Sequence, residues 1–352
     1  MKTPLPEQQI AFLTNLQRLL SEGSFVATYK YALLMALADI ALERGADDDS
    51  ELAITTSQIA EKFIQYYWRQ STPYLPDRSA GRVLQQNTGR QAGIVQLIQG
   101  VHGKYEGSLT EARHDQRQWH QLVRKVAEIV RVMPLWKLQT VGSEKLDFLY
   151  ANTGQGSQIS LKPGIAFCFR KHYGLVADMV KGAWLRYVRR FNIEALGDRA
   201  DLNEFLFGSE RANLKEVGKI INEFQSGTCF YCRRSLKGDV SHVDHFVPWS
   251  RYPVDLGHNF VLAHAACNSK KSDRLAAAIH LDVWCEYQHQ NAKPLAVEFN
   301  RLGILNDFQS TLRIVNWAYN QTFDSHGLTW LRNQELQPLD EGWSKSLNLL
   351  LN

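Results

Sequence analysis

Apolar residues recur at helical spacing along most of the chain. The first such group lies between Ile10 and Leu20, and Gly23 follows it as a stop signal. A second group predicts a helix from about Tyr29 to Leu42. Thr55, followed three positions later by Gln58, has the pattern of a capping box and predicts the start of a third helix. The beginning of the chain is therefore predicted to be helical.

The same spacing continues in later segments, with one interruption. Leu146–Tyr150 and Gln158–Leu161 flank the turn-rich run Asn152–Gly156, which predicts a β-hairpin. Further helices are predicted over Trp119–Met133, Leu175–Phe191, Arg211–Gln225, a segment through Leu281 and Tyr287, and Phe308–Tyr319.

Net charge changes this picture little, but its distribution matters. The chain carries a formal charge of +4, which is compatible with a nucleic-acid partner without requiring one. Between Lys162 and Arg190, however, eight basic or histidine residues accompany one acid, Asp178. This stretch predicts a basic face, and Arg186, Arg189 and Arg190 are its best candidates for an accessory contact with DNA. The alternative is an ordinary solvated face of an amphipathic helix.

Composition also bears on the compartment. No apolar run approaches the roughly 20 residues that span a bilayer, and Met1–Glu22 lacks the features of a secretory signal. The five cysteines are an odd number, and three of them have metal-ligand spacing rather than the distribution of a disulfide framework. We therefore expect a cytoplasmic protein without a membrane partner.

One segment carries a recognisable metal pattern. Cys229 and Cys232 are separated by two residues, and about thirty residues later His264 and Cys267 are separated in the same way. Four such ligands suit tetrahedral zinc, and since the protein supplies all of them the ion should be structural. The alternative is two unrelated pairs.

A second pattern lies inside the first. Asp244 and His245 end a short apolar stretch, and Asn268 directly follows the last cysteine. Cutting a phosphodiester bond requires a base that deprotonates water and a cation that stabilises the charge on the phosphate. His245 suits the base, and the oxygens of Asp244 and Asn268 suit a hard divalent ion such as Mg²⁺ or Mn²⁺.

Taken together, these residues resemble the HNH endonuclease superfamily with its ββα-metal core. The resemblance implies that His245 is the general base, that Asp244 and Asn268 bind the catalytic ion, and that Asn259 holds the loop that orients His245. Relatives with cysteine knuckles bind zinc at the positions of Cys229, Cys232, His264 and Cys267.

This sequence departs from the family pattern at two positions. His264 stands where many relatives have cysteine, and Asn268 stands where the family name implies histidine. Both residues keep the chemistry, because histidine binds zinc and an amide oxygen suits Mg²⁺. Asn268 is therefore expected to favour Mg²⁺ or Mn²⁺ as the catalytic ion.

Basic residues close to this segment are candidate phosphate contacts. Arg251 follows Pro248 in the loop after His245, and Lys270 and Lys271 follow Asn268. For the two lysines the alternative is a solvated helix face. The resemblance extends from about Arg211 to Trp284, and the remaining regions are similar to those found beside HNH modules in bacterial restriction or anti-phage systems.

The predicted architecture is mainly α with a small α+β module. Residues 1–205 form a helical accessory or recognition region, residues 206–285 the HNH module with its zinc knuckle, and residues 286–352 a helical extension. The predicted function is a metal-dependent endonuclease that acts on DNA, with RNA less favoured. The alternative is a non-catalytic, zinc-dependent nucleic-acid-binding module, and a protein partner or a homo-oligomer is left open.

Overall fold

A computed structural model describes residues 2–74, 81–89, 91–152, 156–196, 201–208, 214–238 and 240–351. The chain divides into two compact units, Met1–Glu210 and Arg211–Asn352. Helices dominate, and each described sheet has two strands, so the predicted fold class is confirmed. Among the described residues, no helix has the length and apolar character needed to cross a bilayer.

Eleven described helices and four short strands make up the first unit, together with a 3-10 turn at residues 103–105. They are α1 (Pro6–Glu22), α2 (Tyr29–Arg44), β1 (Leu52–Thr55), α3 (Thr56–Gln70), α4 (Gly93–His102), α5 (Leu109–His114), α6 (Gln116–Val132), α7 (Pro134–Lys137), β2 (Thr140–Val141), β3 (Glu144–Lys145), β4 (Gln158–Leu161), α8 (Ile165–Lys171), α9 (Tyr173–Phe191), α10 (Ile193–Leu196) and α11 (Leu202–Phe207).

Helix α2 lies at the centre of this unit. Its side chains from Lys30 to Leu42 are all buried, as expected for a helix that is surrounded by others, and it packs against α3, α8 and α9. Asp39 within it accepts hydrogen bonds from the hydroxyls of Tyr66 on α3 (2.6 Å) and Tyr173 on α9 (2.8 Å). The buried carboxylate therefore links three helices.

The predicted helices of this unit are confirmed. The capping box is present, because the Thr55 hydroxyl accepts a hydrogen bond from the backbone of Gln58 and the Gln58 side chain accepts one from the backbone of Thr55. The Leu175–Phe191 prediction corresponds to α9, whose Arg186, Arg189 and Arg190 are exposed.

The predicted basic face has a different extent. Arg170 is only 2% exposed, and its guanidinium donates to Asp47 at 2.7 Å and to the carbonyl of Leu42. Its side chain thus binds a carbonyl at the carboxyl end of α2 in the interior and is not part of a surface patch.

The predicted hairpin between Leu146–Tyr150 and Gln158–Leu161 is wrong. β4 pairs with β1 in antiparallel register, from Leu52 opposite Leu161 to Thr55 opposite Gln158. Of the predicted partner strand, Tyr150 keeps one isolated bridge to Leu161. The Gln139 side chain satisfies this backbone instead, accepting from Leu149 N–H (2.6 Å) and donating to Tyr150 C=O (2.8 Å). Residues 153–155 of the predicted turn lie outside the described residues.

The second unit contains a small ββα element among longer helices, with a 3-10 turn at residues 257–259. Its elements are α12 (Leu214–Phe224), β5 (Ser241–His245), β6 (Phe260–His264), α13 (Ala265–Lys271), α14 (Ala278–Arg301), α15 (Phe308–Asp324), β7 (Leu328–Arg332), β8 (Glu335–Pro338) and α16 (Lys345–Leu351). The predicted helices here correspond to α12, α14 and α15, although residues 211–213 of the first lie outside the described residues.

A β-hairpin that the sequence pattern did not indicate lies near the carboxyl end. β7 and β8 pair around a tight turn in which Asn333 has a φ of 48°. The backbone of Trp330 connects this hairpin to the segment after α13. Its backbone N–H donates to Leu275 C=O (2.8 Å), and its C=O accepts from Ala277 N–H (2.7 Å). The three-part division into residues 1–205, 206–285 and 286–352 stays a prediction, and part of its first boundary region (197–200 and 209–213) is not described.

Candidate active site and metal centre

The first cysteine pair sits in a tight hairpin turn. Thr228 and Ser235 form a bridge at its base, and Arg233 at its tip has a φ of 59°. Phe230 N–H donates to Leu262 C=O of β6 at 2.9 Å, so the turn is anchored beside the second ligand pair.

The structure brings the four predicted zinc ligands together. The ligand atoms of Cys229, Cys232, His264 and Cys267 all lie within 4.8 Å of one another. In a tetrahedral site with metal–sulfur bonds of about 2.3 Å, neighbouring sulfurs are about 3.8 Å apart, so a small contraction suffices. His264 ends β6 and Cys267 lies in the first turn of α13, and this group therefore links three segments.

The tautomer of His264 follows from its surroundings. Its Nε2 lies 3.1 Å from the Ser235 carbonyl oxygen, which can only accept a hydrogen bond, so Nε2 carries the proton. Nδ1 faces Cys232 Sγ at 3.3 Å and is the nitrogen that can bind a metal. The backbone N–H of His264 also points to Cys229 Sγ at 3.4 Å.

The electrostatics of the thiols also suit a cation. Burial, together with the neighbouring Cys229 and Cys232 sulfurs, raises the pKa of Cys267 to about 12. Burial opposes ionisation of Cys232 as well, but hydrogen bonds with Arg234, Cys229 and His264 outweigh it and lower its pKa to about 6. A divalent ion would offset the repulsion among three thiolates, and the donor set fits a structural zinc.

The ββα element lies directly beside this group. β5 and β6 are antiparallel, with Asp244 opposite Val261 and His245 opposite Phe260. Since side chains alternate along a strand, these two residues project to opposite faces. Asp244 is buried, and His245 is partly accessible.

The Asn259 side chain holds the chain just after His245. Its Oδ1 accepts from Val247 N–H at 2.8 Å, and its Nδ2 donates to Val247 C=O at 3.0 Å. Its own carbonyl accepts from Phe246 N–H at 2.7 Å. Asn259 therefore fixes the backbone two residues after His245.

An acid that the sequence reading missed contacts His245. Asp255 Oδ1 lies 2.8 Å from His245 Nε2, and the two side chains are 11% and 12% exposed. The imidazole also packs edge-on against Trp249 and Phe260, each with a centroid separation of 5.0 Å. A lone acid in the loop before Asn259 was the available signal, but ten residues separate it from His245.

Asp244 is held on one side only. Its Oδ2 accepts from the Tyr231 hydroxyl (2.5 Å) and lies 3.0 Å from Lys271 Nζ. Burial holds the pKa of Tyr231 well above its usual range, so this hydroxyl keeps its proton to donate. In the part of the chain that is described, Asp244 Oδ1 has no hydrogen-bond partner.

Lys271 differs from its prediction as a phosphate contact. Its side chain is 0% exposed, and its Nζ donates to His245 C=O at 2.9 Å besides pairing with Asp244. Burial lowers the pKa of Lys271, and the attraction of Asp244 opposes this shift. The ammonium therefore neutralises an internal carboxylate and is not available to a nucleic acid.

The remaining predicted residues lie nearer the surface. Asn268 precedes Lys271 by one turn of α13, so both lie on the same side of that helix. The Asn268 side chain is partly exposed and has no hydrogen-bond partner among the described residues. Lys270 is exposed and donates to Asn333 Oδ1 at 2.9 Å, and Arg251 is half-buried.

Comparison with protein families gives two matches. Residues 9–205 match a domain of unknown function, DUF8808, and this match covers more than half of the chain. Residues 229–274 match the HNH endonuclease family. The chain belongs to the DUF8808 family and carries an HNH endonuclease domain.

No curated protein and no solved structure matches the chain. The HNH domain contains the whole Cys3His group, together with Asp244, His245, Asn259 and Asn268. It makes this part of the DUF8808 protein a nuclease or nucleic-acid-binding module with a metal site.

Zinc content tests the metal centre of the HNH domain. We expect about one zinc ion per purified chain, and Cys267→Ser should lose it because only three ligands remain. Metal analysis after exhaustive dialysis measures this. Cys168→Ala serves as the matched control, since Cys168 is a buried cysteine of the other unit, and full zinc retention by Cys267→Ser would contradict the assignment.

A double-mutant cycle tests the buried pair in the HNH domain. Lys271→Met leaves the Asp244 carboxylate buried without its cation, which should lower the free energy of unfolding by about 3 kcal/mol. Adding Asp244→Asn should recover part of that loss, because the uncompensated charge is then removed.

Urea denaturation of the zinc-loaded protein gives these free energies. Lys270→Met is the control, because Lys270 is the exposed neighbour of Lys271. Its replacement should change the free energy of unfolding by no more than about 0.5 kcal/mol. If Lys271→Met behaved like Lys270→Met, the pair would not contribute to the fold.

Proposed function

We propose that this protein is a metal-dependent endonuclease that hydrolyses phosphodiester bonds in DNA. The observation that carries the proposal is the arrangement within the HNH domain. His245 is held by an acid, and the adjacent Asp244 presents one carboxylate oxygen without a protein partner. A candidate base and a candidate metal ligand are thus consecutive residues at the end of β5.

His245 acts as the general base in this proposal. Because its Nε2 is engaged by Asp255, Nδ1 is the nitrogen that accepts the proton of the attacking water. Asp255 fixes the orientation of the ring and stabilises the imidazolium that forms when the proton arrives. Asn259 contributes by fixing the backbone of Val247, two residues after His245.

In this proposal, the catalytic ion would be held by Asp244 Oδ1 and by the amide oxygen of Asn268. Both are hard oxygen donors. Mg²⁺ and Mn²⁺ prefer such donors to the thiols of the nearby Cys3His group. When bound, the ion supplies positive charge to the scissile phosphate and to the leaving oxygen. Tyr231 and Lys271 both contact Asp244 Oδ2. They orient the carboxylate so that Oδ1 is left available to the ion.

Substrate and biological setting rest on the family resemblance. Most HNH relatives cut DNA, so we propose DNA over RNA, with a 5′-phosphate and a 3′-hydroxyl as the product ends. Lys270 and Arg251 are proposed phosphate contacts beside the site. Arg186, Arg189 and Arg190 are exposed on α9 and are proposed as accessory contacts. Residues 1–205 are proposed to serve recognition in a restriction or anti-phage system.

A second candidate is a non-catalytic, zinc-dependent nucleic-acid-binding module. One observation favours it: the Lys271 ammonium already neutralises Asp244, the carboxylate that a catalytic ion would need. In that case Asp244, His245 and Asn268 would be dispensable for function.

Replacement of the proposed base tests the main proposal. Wild type should cut supercoiled plasmid in Mg²⁺ or Mn²⁺ and not in chelator, with little activity in Ni²⁺ or Zn²⁺. His245→Ala should lower the rate by roughly 100-fold or more, because it removes the proton acceptor. Gel analysis of plasmid, with single-stranded RNA assayed in parallel, measures both rate and substrate.

His242→Ala is the matched control, since His242 lies on the same strand, is exposed and has no proposed role. Equal activity of the wild-type and His245→Ala proteins would reject the base. Binding of DNA with no cutting by either form, at full zinc occupancy, would favour the binding module.

Asp255 is tested as a positioning residue. Asp255→Asn keeps the size of the side chain but loses its charge, so we expect kcat to fall about tenfold or more while KM stays within about twofold. The ¹⁵N shifts of His245 should also change, because Asp255 selects the Nε2–H tautomer. Unchanged tautomer populations together with wild-type kcat would show that the contact has no catalytic use.

A further inference from the structure

Helix α6 in the first unit has two contrasting faces. One face is apolar and packs against α3 and α4. Its buried residues are Trp119, Leu122, Val123, Val126, Ala127 and Val130. This burial fixes which side of α6 faces solvent, and it prevents the helix from inserting its apolar side into a lipid surface.

The solvent side of α6 is cationic. Arg117, Arg124 and Lys125 are exposed, Arg131 is partly exposed, and the one acid among them is Glu128. His120 lies on the same side and is exposed. We call Arg117, Arg124, Lys125 and Arg131 the α6 basic row.

The three arginines of the row are regularly spaced. They follow one another at intervals of seven residues, which is close to two helical turns, so they drift by only about 20° per step around the helix. At a rise of 1.5 Å per residue, neighbouring arginines are about 10.5 Å apart and the row extends over about 21 Å. The charges therefore form a nearly straight line.

Some basic residues of the same unit are already paired with acids. Arg18 pairs with Glu144 at 2.8 Å and Lys104 with Asp115 at 2.9 Å. In contrast, no member of the row has an ion pair or hydrogen bond through its side chain within the described residues. Four cations with one acid among them repel one another, and an external polyanion would relieve this repulsion.

We infer that the α6 basic row binds the phosphate backbone of double-stranded DNA. A duplex is the polyanion that matches a straight row of this length, because it stays rigid over distances far greater than 21 Å, its persistence length being about 500 Å. Arginine suits phosphate through its planar, multiple donors, and such contacts carry no sequence information. The inference deepens the proposed function and rests on it only in the choice of DNA as the partner.

The test compares two triple variants of the full, zinc-loaded chain in a His245→Ala background, which prevents cutting. Arg117→Gln/Arg124→Gln/Arg131→Gln removes the three arginines of the row and is called the row variant. Arg18→Gln/Arg69→Gln/Arg301→Gln removes the same number of charges from arginines that already pair with Glu144, Glu204 and Glu298. Glutamine preserves helix propensity, so thermal unfolding should be unchanged in the row variant.

Affinity for a fluorescent DNA duplex is measured at several salt concentrations. Removing the row should weaken binding about tenfold or more at low salt and reduce the slope of log K against log salt by about 2 to 3. The control variant should change affinity by less than about twofold. Equal effects in the two triple variants would overturn the inference, because net charge alone would then explain binding.

Two further arms identify the partner independently of catalysis. Row-dependent binding to vesicles of anionic lipid or to single-stranded RNA, without row-dependent binding to the duplex, would overturn the inference. If the protein with His245 intact failed to cut DNA, yet the row variant still lost duplex binding, the nuclease proposal would fall and the inference would stand.

Discussion

The Cys3His group is the constraint on which the rest of the HNH domain depends. Its ligand atoms come from a hairpin turn, from the end of β6 and from the start of α13, and they converge within 4.8 Å. A helix as short as α13 would be marginal by itself. Because Asn268 directly follows Cys267, the group that fixes the start of α13 also fixes the proposed catalytic amide. In the proposed function, a structural ion would thus build the framework in which a catalytic ion acts.

A buried electrostatic contact completes that framework. Lys271 reaches from the last turn of α13 to Asp244 and to the carbonyl of His245, and Tyr231 reaches Asp244 from the cysteine turn. Asp244 Oδ2 thus connects α13, β5 and the cysteine turn. Burying two charges costs desolvation free energy, so the pair stabilises the fold only when its distances and hydrogen bonds are good. It also explains how Asp244 can be buried while Oδ1 remains without a partner.

Local signals predicted much of the fold and of the site, and the failures follow from distance along the chain. The Thr55–Gln58 capping box and the zinc ligands are short-range patterns with a specific physical meaning, so they could be recognised directly. The partner of β4 could not, because β1 lies about a hundred residues away and the nearer candidate had its backbone satisfied by Gln139. Lys271 looked like a surface lysine because charge alone does not indicate burial. Asp255 contacts His245 only once the intervening loop folds back.

The central claim is that Asp244 and Asn268 hold a catalytic divalent ion beside His245. Anomalous diffraction from crystals of the zinc-loaded protein grown with Mn²⁺ tests it most directly, because the zinc and manganese signals can be separated by wavelength. The account predicts zinc at the Cys3His group and manganese in contact with Asp244 Oδ1 and the Asn268 side chain. Zinc at its group with no manganese beside Asp244, even when a DNA duplex is bound there, would contradict it.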